Sequence, residues 1–369
     1  MKKGNKYFRK MIYTLLWLTT AITLIVVGVL LIYSPGKVNP YLDENGTKIE
    51  GSISEKIFVT IGGVQQGMII KSKSSQNPVL LYLHGGMPDY FLTQRYPTGL
   101  EDIFTVVWWD QRGSGLSYNP KITKESISLV QLLSDIAEIT NYLRARFGQE
   151  KIYLLGRSGG SFPGIQAAAK MPWLYHAYIG IGQMSDQLQS EKLAFEYILK
   201  EYRAQGNRKM VQKLESSPIL DDLPPPYLKI RDTAMHSMGI GTTRDMKSVV
   251  SGMFFPSLMF REYTLKEKYK LWRAKARWGI HPLWERIKNT DLSGEIRELN
   301  IPVYFLHGRY DHTVSYSLTK SYFEELHAPV KGFYTFEHSA HSPHFEEPER
   351  VREIIEKDIL QGKTLLADK

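Results

Sequence analysis

Ile152-Tyr153-Leu154-Leu155-Gly156-Arg157-Ser158-Gly159-Gly160-Ser161 is the stretch on which the reading of this chain turns. A short apolar run leads into a glycine, a serine stands two residues further on, and a glycine follows two residues after that. The run predicts a buried strand. The Ala167-Ala168-Ala169 tract beyond it predicts a helix from about Gly159 to Lys170. Between them lies the strand, sharp turn and helix start of a nucleophile elbow. Glycines on both sides let the turn close tightly enough to lift a serine hydroxyl above the sheet edge. The helix that follows directs its first amides at negative charge developing on a substrate oxygen. Ser161 has no glycine two positions beyond it, so Ser158 is the candidate nucleophile.

Working outward, Val79–Leu83 and Phe104–Trp109 are continuous apolar runs, as expected of strands covered on both faces. Shorter β-branched runs occupy Ile57–Ile61 and Met68–Ile70. From Ser128 to Phe147, Leu129, Leu132, Leu133, Ile136, Ile139 and Leu143 recur at helical spacing. A strand is expected again at Ala177–Ile181. This alternation predicts an α/β fold with a mostly parallel sheet and helices on both faces. The rhythm breaks near Met184. Residues 186–296 are charged and helix-rich, interrupted at Pro224-Pro225-Pro226, and predict a helical cap over the site. Strand and helix resume at Pro302–Leu306 and Gly332–Phe336, with a closing helix around Pro348–Leu360. The expected division is hydrolase core in 51–185 and 297–369, with the cap between.

The 369 residues suffice for one large catalytic domain with an insertion, and 43% apolar content fits a packed core. The chain has no cysteine, which excludes disulfides and thiolate metal sites. Of the net charge of +9, five units come from Lys2, Lys3, Lys6, Arg9 and Lys10. That tail abuts residues 11–33, an uncharged stretch long enough to span a bilayer as a helix. Positive charge in front of it predicts a cytoplasmic N-terminus and an extracytoplasmic catalytic domain. Leu31-Ile32-Tyr33-Ser34-Pro35-Gly36 contains no signal-peptidase-like small-residue site, so an uncleaved anchor is expected. Residues 34–50, with Pro35, Gly36, Pro40 and Asn45-Gly46, read as a linker. Placed against an apolar segment, the basic tail fits topology and anionic headgroups better than nucleic acid. No glycine-rich phosphate loop is present, so no cofactor is expected.

A nucleophilic serine needs a base, a group to orient the base, and oxyanion donors. The elbow order of serine, acid, histidine selects Asp311, which follows the strand Val303–Leu306 through His307-Gly308-Arg309-Tyr310. His341 fits the base, with His338 and His344 as rivals that spacing barely separates. Three-residue spacing of these histidines in a proline-containing loop gives poor support for a metal site. The oxyanion donors expected are the amides of Gly159 and of Gly86, with Gly85 second, in His84-Gly85-Gly86-Met87-Pro88. Asp110 and Arg112 are expected to form a structural ion pair framing their turn.

These blocks, with Trp109-Asp110-Gln111-Arg112-Gly113-Ser114-Gly115, His307-Gly308-Arg309-Tyr310-Asp311 and His341-Ser342-Pro343, resemble the α/β-hydrolase superfamily. More narrowly, they resemble its proline iminopeptidase branch. The resemblance spans roughly residues 51–362 and is weakest in the cap. It implies Ser158 as nucleophile, Asp311 as acid, His341 as base, and Gly86 and Gly159 as oxyanion donors. Two positions depart from the branch. Its H-G-G-P-G loop is His84-Gly85-Gly86-Met87-Pro88 here, and the residue after the serine, often tryptophan, is Gly159.

The expectation is therefore a membrane-anchored serine hydrolase cleaving a small amide or ester, aminopeptidase-like, through an acyl-enzyme. A carboxylesterase or lipase-like enzyme and a non-catalytic binding protein of the same fold are the alternatives. Glu191, Glu196, Glu201 and Glu285 are candidate cap carboxylates for a substrate ammonium. Met253, Phe254, Phe255, Met259 and Phe260 are candidates for an acyl pocket or simple helix core. Oligomeric state is unspecified.

Overall fold

Eight strands make one sheet in the order β1-β2-β4-β3-β5-β6-β7-β8. They are β1 (Ile53–Ile61), β2 (Val64–Ser72), β3 (Val79–Leu83), β4 (Thr105–Trp109), β5 (Ile152–Arg157), β6 (Tyr175–Ile181), β7 (Val303–Gly308) and β8 (Lys331–Phe336). β1, β2 and β4 pair antiparallel, and every pairing from β4 to β8 is parallel. This is a computed structural model in which residues 2–369 are described, except for the side chains of residues 2–6 and 9. The cationic groups of Lys2, Lys3, Lys6 and Arg9 thus lie outside the described residues.

The parallel strands are buried on both faces. Val79, Leu81 and Leu83 of β3 join one core cluster, while Leu80 and Tyr82 join the other. β5 divides likewise, with Ile152 and Leu154 on one side and Tyr153 and Leu155 on the other. Each fully buried leucine here contributes about 1.5–3 kcal/mol relative to exposure. Two-sided burial explains why these strands read as unbroken apolar runs.

The chain order reverses direction across the sheet at β3, which β4 and β5 flank on opposite sides. Ligand sites form outside the carboxyl ends of strands at such a switch point, and Ser158 follows β5 there. The helix expected from about Ser128 is α2 (Leu129–Phe147), started by the Ser128 side chain accepting from the Gln131 amide and ended at Gly148 with φ 63°. The elbow helix is α3 (Ser161–Lys170). Between β6 and β7 the chain is mostly helical, with α4 (Gln187–Ala204), α5 (Arg208–Glu215), α6 (Pro225–Met238), α7 (Phe255–Met259) and α8 (Leu265–Trp278) among its helices, the region expected as the cap. Pro225 opens α6 rather than breaking a helix, since proline fits a first turn that has no amide to satisfy. Ala194, Ile198, Tyr202, Leu214, Tyr227 and Met235 form a core belonging to the cap itself.

The expected Asp110–Arg112 ion pair does not form. Arg112 reaches α2 instead, donating from Nε to Asp135 Oδ2 at 2.7 Å and from Nη2 to Oδ1 at 2.8 Å. Asp110 turns back onto its own loop and accepts the Leu116 amide at 2.6 Å. Both residues are structural, but with different partners.

Ahead of the sheet, α1 (Lys2–Ile32) contains a segment, Lys10–Ile32, with mean hydropathy 2.6, long and apolar enough to cross a membrane. The stretch after it, read as a linker, is held to the body. Pro35 bridges Thr264, and the Gly36 amide donates to the Arg261 carbonyl at 3.1 Å.

Candidate active site

Ser158 has φ 54°, the one positive φ among the described non-glycine residues. A non-glycine residue in this left-handed region costs about 1–3 kcal/mol and persists only where its surroundings impose it. They do so here. A side chain at Gly156 would meet Ser161 Cα at 2.6 Å and the Gly160 carbonyl at 2.9 Å, and one at Gly160 would strike the Leu83 and His84 carbonyls. The elbow is therefore wedged against the end of β3. Gly85 lies against the serine itself, where a Cβ would come within 2.8 Å of Ser158 Cβ and 3.1 Å of its Oγ. The glycines of both motifs thus serve close approach at one point.

Asp311 Oδ1 accepts the amides of Thr313 and Val314, each at 2.9 Å, and Oδ2 accepts from His341 Nδ1 at 2.7 Å. His307 Nε2 lies 3.2 Å from the same Oδ2. Burial by itself would raise the Asp311 carboxyl, but His341 and His307 beside it hold it well below the usual carboxylate range. The carboxylate fixes the proton on His341 Nδ1, leaving Nε2 as the basic lone pair. His341 Nε2 is buried and has no hydrogen-bond partner among the described residues. Burial lowers the His341 imidazole below its ordinary value despite the pull of Asp311, so it is neutral at pH 7. His341 and Ser158 line the same chamber, with a volume of about 120 Å³.

The three candidate histidines part ways. His338 is exposed, His341 meets Asp311, and His344 is buried with Nε2 3.2 Å from the Tyr82 hydroxyl. The two candidate oxyanion glycines sit beneath the cap. A side chain at Gly86 would strike the Ile280 carbonyl, and one at Gly159 would come within 2.7 Å of His281 Cδ2. Arg157 of the elbow donates to Ser342 Oγ at 2.6 Å, tying the elbow to the His341 loop.

The cap carboxylates separate differently from the sequence expectation. Glu191 is buried and neutralised by Arg231, which donates from Nε at 2.7 and 2.9 Å, and also accepts from Tyr227 at 3.1 Å. Glu196 and Glu285 are exposed and Glu201 is half-buried, and none of the three lines the chamber. Asp232 does line it, and it was not singled out from the sequence. Arg231 Nη1 donates to Asp232 Oδ1 at 2.8 Å. Burial opposes its ionisation, but Arg231 and Lys275 hold its carboxyl below the ordinary value. Lys275 also lines the chamber, where burial lowers its ammonium below the ordinary value and the nearby Asp232 charge opposes that. Arg231-Asp232 belongs to no motif and Lys275 to an ordinary charged helix face, so nothing local marks either. Of the apolar cap candidates, Met253 lines the chamber, while Phe260 is packed beneath it against Tyr90 and Tyr263.

A wedged serine at a strand end, a neutral imidazole oriented by a carboxylate, and a loop of glycines overhead define the α/β-hydrolase class. No protein-family profile matches the chain. The probable aminopeptidase YbaC of Bacillus subtilis is 30% identical over 295 residues, covering 79% of this chain and 91% of that one. Among solved structures, the proline iminopeptidase of Mycobacterium smegmatis superposes with TM-score 0.59 at 16% identity, covering 83% of this chain and 98% of that one. The proline iminopeptidase-related protein of Thermus thermophilus gives 0.56 at 19%, covering 82% and 98%. The chain belongs to the α/β-hydrolase superfamily and is an aminopeptidase-like hydrolase resembling its proline iminopeptidase branch.

Proposed function

We propose that the protein is a membrane-anchored serine hydrolase that releases the N-terminal residue of a short peptide or small amide. The observation that carries this is the His341 imidazole, bonded to Asp311 through Nδ1 and unpartnered at Nε2, in a chamber shared with Ser158. Ser158 Oγ attacks the substrate carbonyl carbon as His341 Nε2 takes the hydroxyl proton. The amides of Gly86 and Gly159 receive the oxyanion. The C–N bond then breaks, His341 returns the proton to the leaving amine, and water hydrolyses the acyl-serine by the same route. Hydrogen bonds of this kind are often long before substrate binds, so the open Nε2 fits a resting enzyme.

The chamber supports a small acyl group. At about 120 Å³ it falls short of the ~300 Å³ at which drug-sized ligand pockets begin. Asp232, kept ionised at its wall, suits a free substrate ammonium. The helix Lys10–Ile32 serves as the anchor, with the basic tail cytoplasmic and residues 51–369 outside. Residues 186–296 act as the cap and the flanking segments as the core.

The test uses the full-length protein in detergent, with Ser158→Ala as control, on prolyl and alanyl arylamides and on short-chain aryl esters. Cleavage of arylamides is expected, lost on blocking the substrate amine and reduced by at least about 10³-fold in the variant. Hydrolysis of esters alone would assign an esterase. Full activity in a normally folded Ser158→Ala protein would remove the mechanism.

A further inference from the structure

Lys268 on α8 is almost fully buried, and its ammonium makes three bonds at one place. It donates to the Tyr33 carbonyl at 2.6 Å, to the Ser34 hydroxyl at 3.0 Å and to the Leu258 carbonyl at 2.5 Å. Tyr33 is the first residue past α1, and Leu258 lies near the end of α7. Two carbonyl oxygens on one nitrogen at these distances are within about 5 Å of each other. Burial lowers this ammonium to about 8, the cost of using it as an internal clasp. The clasp is reinforced by the Pro35–Thr264 bridge and the Gly36–Arg261 backbone bond. The apolar helix and the apolar cap segment therefore end together.

The cap segment so placed has two unlike flanks. Val249 and Met253 line the active chamber. Phe254 packs its ring 5.0 Å from Trp272, another chamber residue. On the other flank Val250 is 56% exposed, Phe255 55%, Met259 36% and Leu265 38%, a run of apolar side chains without cover. Lys37, Arg261 and Lys266 are exposed in the same chain segments. Apolar side chains rimmed by cations are the composition of a surface that sits in the headgroup–acyl boundary of an anionic bilayer. The apolar stretch of α1 ends at Ile32, which sets the depth of Tyr33 at the interface, where tyrosine is favoured. Through Lys268 the same depth is imposed on Leu258.

We propose that the cap segment 249–259 and the start of α8 are seated in the surface of the membrane that α1 crosses, so that one wall of the active chamber rests on lipid. This rests on the anchor reading. The occupant of the face is a lipid surface carrying anionic headgroups, and Lys268 is the positioning residue that fixes the face against it. The wall between chamber and bilayer is then a single helical layer, with Met253 inward and Phe255 outward.

The chain has no cysteine, so single labels can be placed without background. The full-length protein is reconstituted in phosphatidylcholine–phosphatidylglycerol vesicles carrying spin-labelled lipid, shallow in one set for positions 250, 255 and 130 and deep in the acyl chain in another for position 22. Fluorophores are attached at Phe255→Cys, at Val250→Cys as a second position on the face, at Ile22→Cys within α1, and at the exposed Val130→Cys on α2. Quenching at 255 and 250 severalfold above that at 130 is expected, weakening when phosphatidylglycerol is omitted. Quenching at 22 with none at 250 or 255 would overturn the membrane-seated face while keeping the anchor. No quenching at 22 would overturn the anchor reading itself. Self-quenching between labels at 255 that persists on dilution with unlabelled lipid would assign the face to a second copy of the chain and likewise overturn the proposal.

Discussion

Core and cap hold their contributions to the site by different means. The core uses backbone. Ser158 holds positive φ in an elbow whose Gly160 abuts the Leu83 and His84 carbonyls, Asp311 is pinned by two amides, and Gly85 leaves no room for a side chain. The cap uses side-chain charge. Glu191 neutralises Arg231, Arg231 orients Asp232, and Lys275 lines the same chamber and acts on the Asp232 charge. The elbow glycines tolerate almost no substitution, because any added Cβ would strike backbone atoms that cannot move aside. A side-chain network is replaced residue by residue at a cost of a few kcal/mol or less. The core is thus suited to fixing a reaction and the cap to selecting what undergoes it.

Asp311→Asn is the strongest test of the first half of that comparison. The amide cannot hold His341 in the tautomer that presents a lone pair at Nε2, and a loss of about 10⁴-fold in kcat is expected. KM should change little, because Asp311 touches the histidine and not the chamber. Steady-state kinetics on one arylamide substrate decides it. A loss carried by KM instead would place Asp311 in binding and undo the division between the two regions.

The second half is tested by Asp232→Asn. If the cap selects by charge, KM for a free-amine substrate should rise about 10–100-fold, the loss of one charged hydrogen bond of ~1.5–3 kcal/mol. An ester lacking the amine should be unaffected, and kcat should hold for both. Equal losses on both substrates would show Asp232 acting through Arg231 on the fold of the cap rather than on the substrate.

The same division governs what the sequence reveals. Strands buried on two faces must be apolar throughout, and an elbow must carry glycines at set offsets, so β3, β5 and Ser158 are visible in one dimension. Asp311 and His341 follow because the fold fixes their order. His341 and His344 differ only in space, where the first meets Asp311 and the second Tyr82, a distinction their spacing does not carry. In the cap no such rule operates. Arg231-Asp232 and Lys275 are indistinguishable from solvated helix charges until α6 and α8 are brought to the chamber. The acids that looked available there include Glu191, which is consumed by Arg231. The Asp110–Arg112 pairing failed for a related reason: proximity in sequence gave way to the reach of a long side chain to Asp135.

At the seam between the regions the expected effect is smallest and depends on pH. Glu346 Oε1 accepts the amide of Arg244 in the cap at 2.6 Å, and Oε2 accepts the amide of Ala340, beside His341, at 2.7 Å. The His341 amide itself donates to the cap carbonyl of Gly241 at 3.3 Å. Burial raises the Glu346 carboxyl to about 7, with Asp245 and Asp311 adding repulsion against the two amide bonds that favour its charge. As pH falls through about 7 the carboxylate gains a proton and its charge-assisted hold on both loops weakens. The His341 imidazole, lowered by burial, gains its proton only at a pH below its ordinary 6.5. The acid side of the kcat/KM profile should therefore show two steps, a shallow one of a few-fold near pH 7 and a full loss below 6.5. Glu346→Gln removes the upper titration and should erase the shallow step while leaving the lower one in place. A profile of the variant that keeps both steps would assign the upper one to another group.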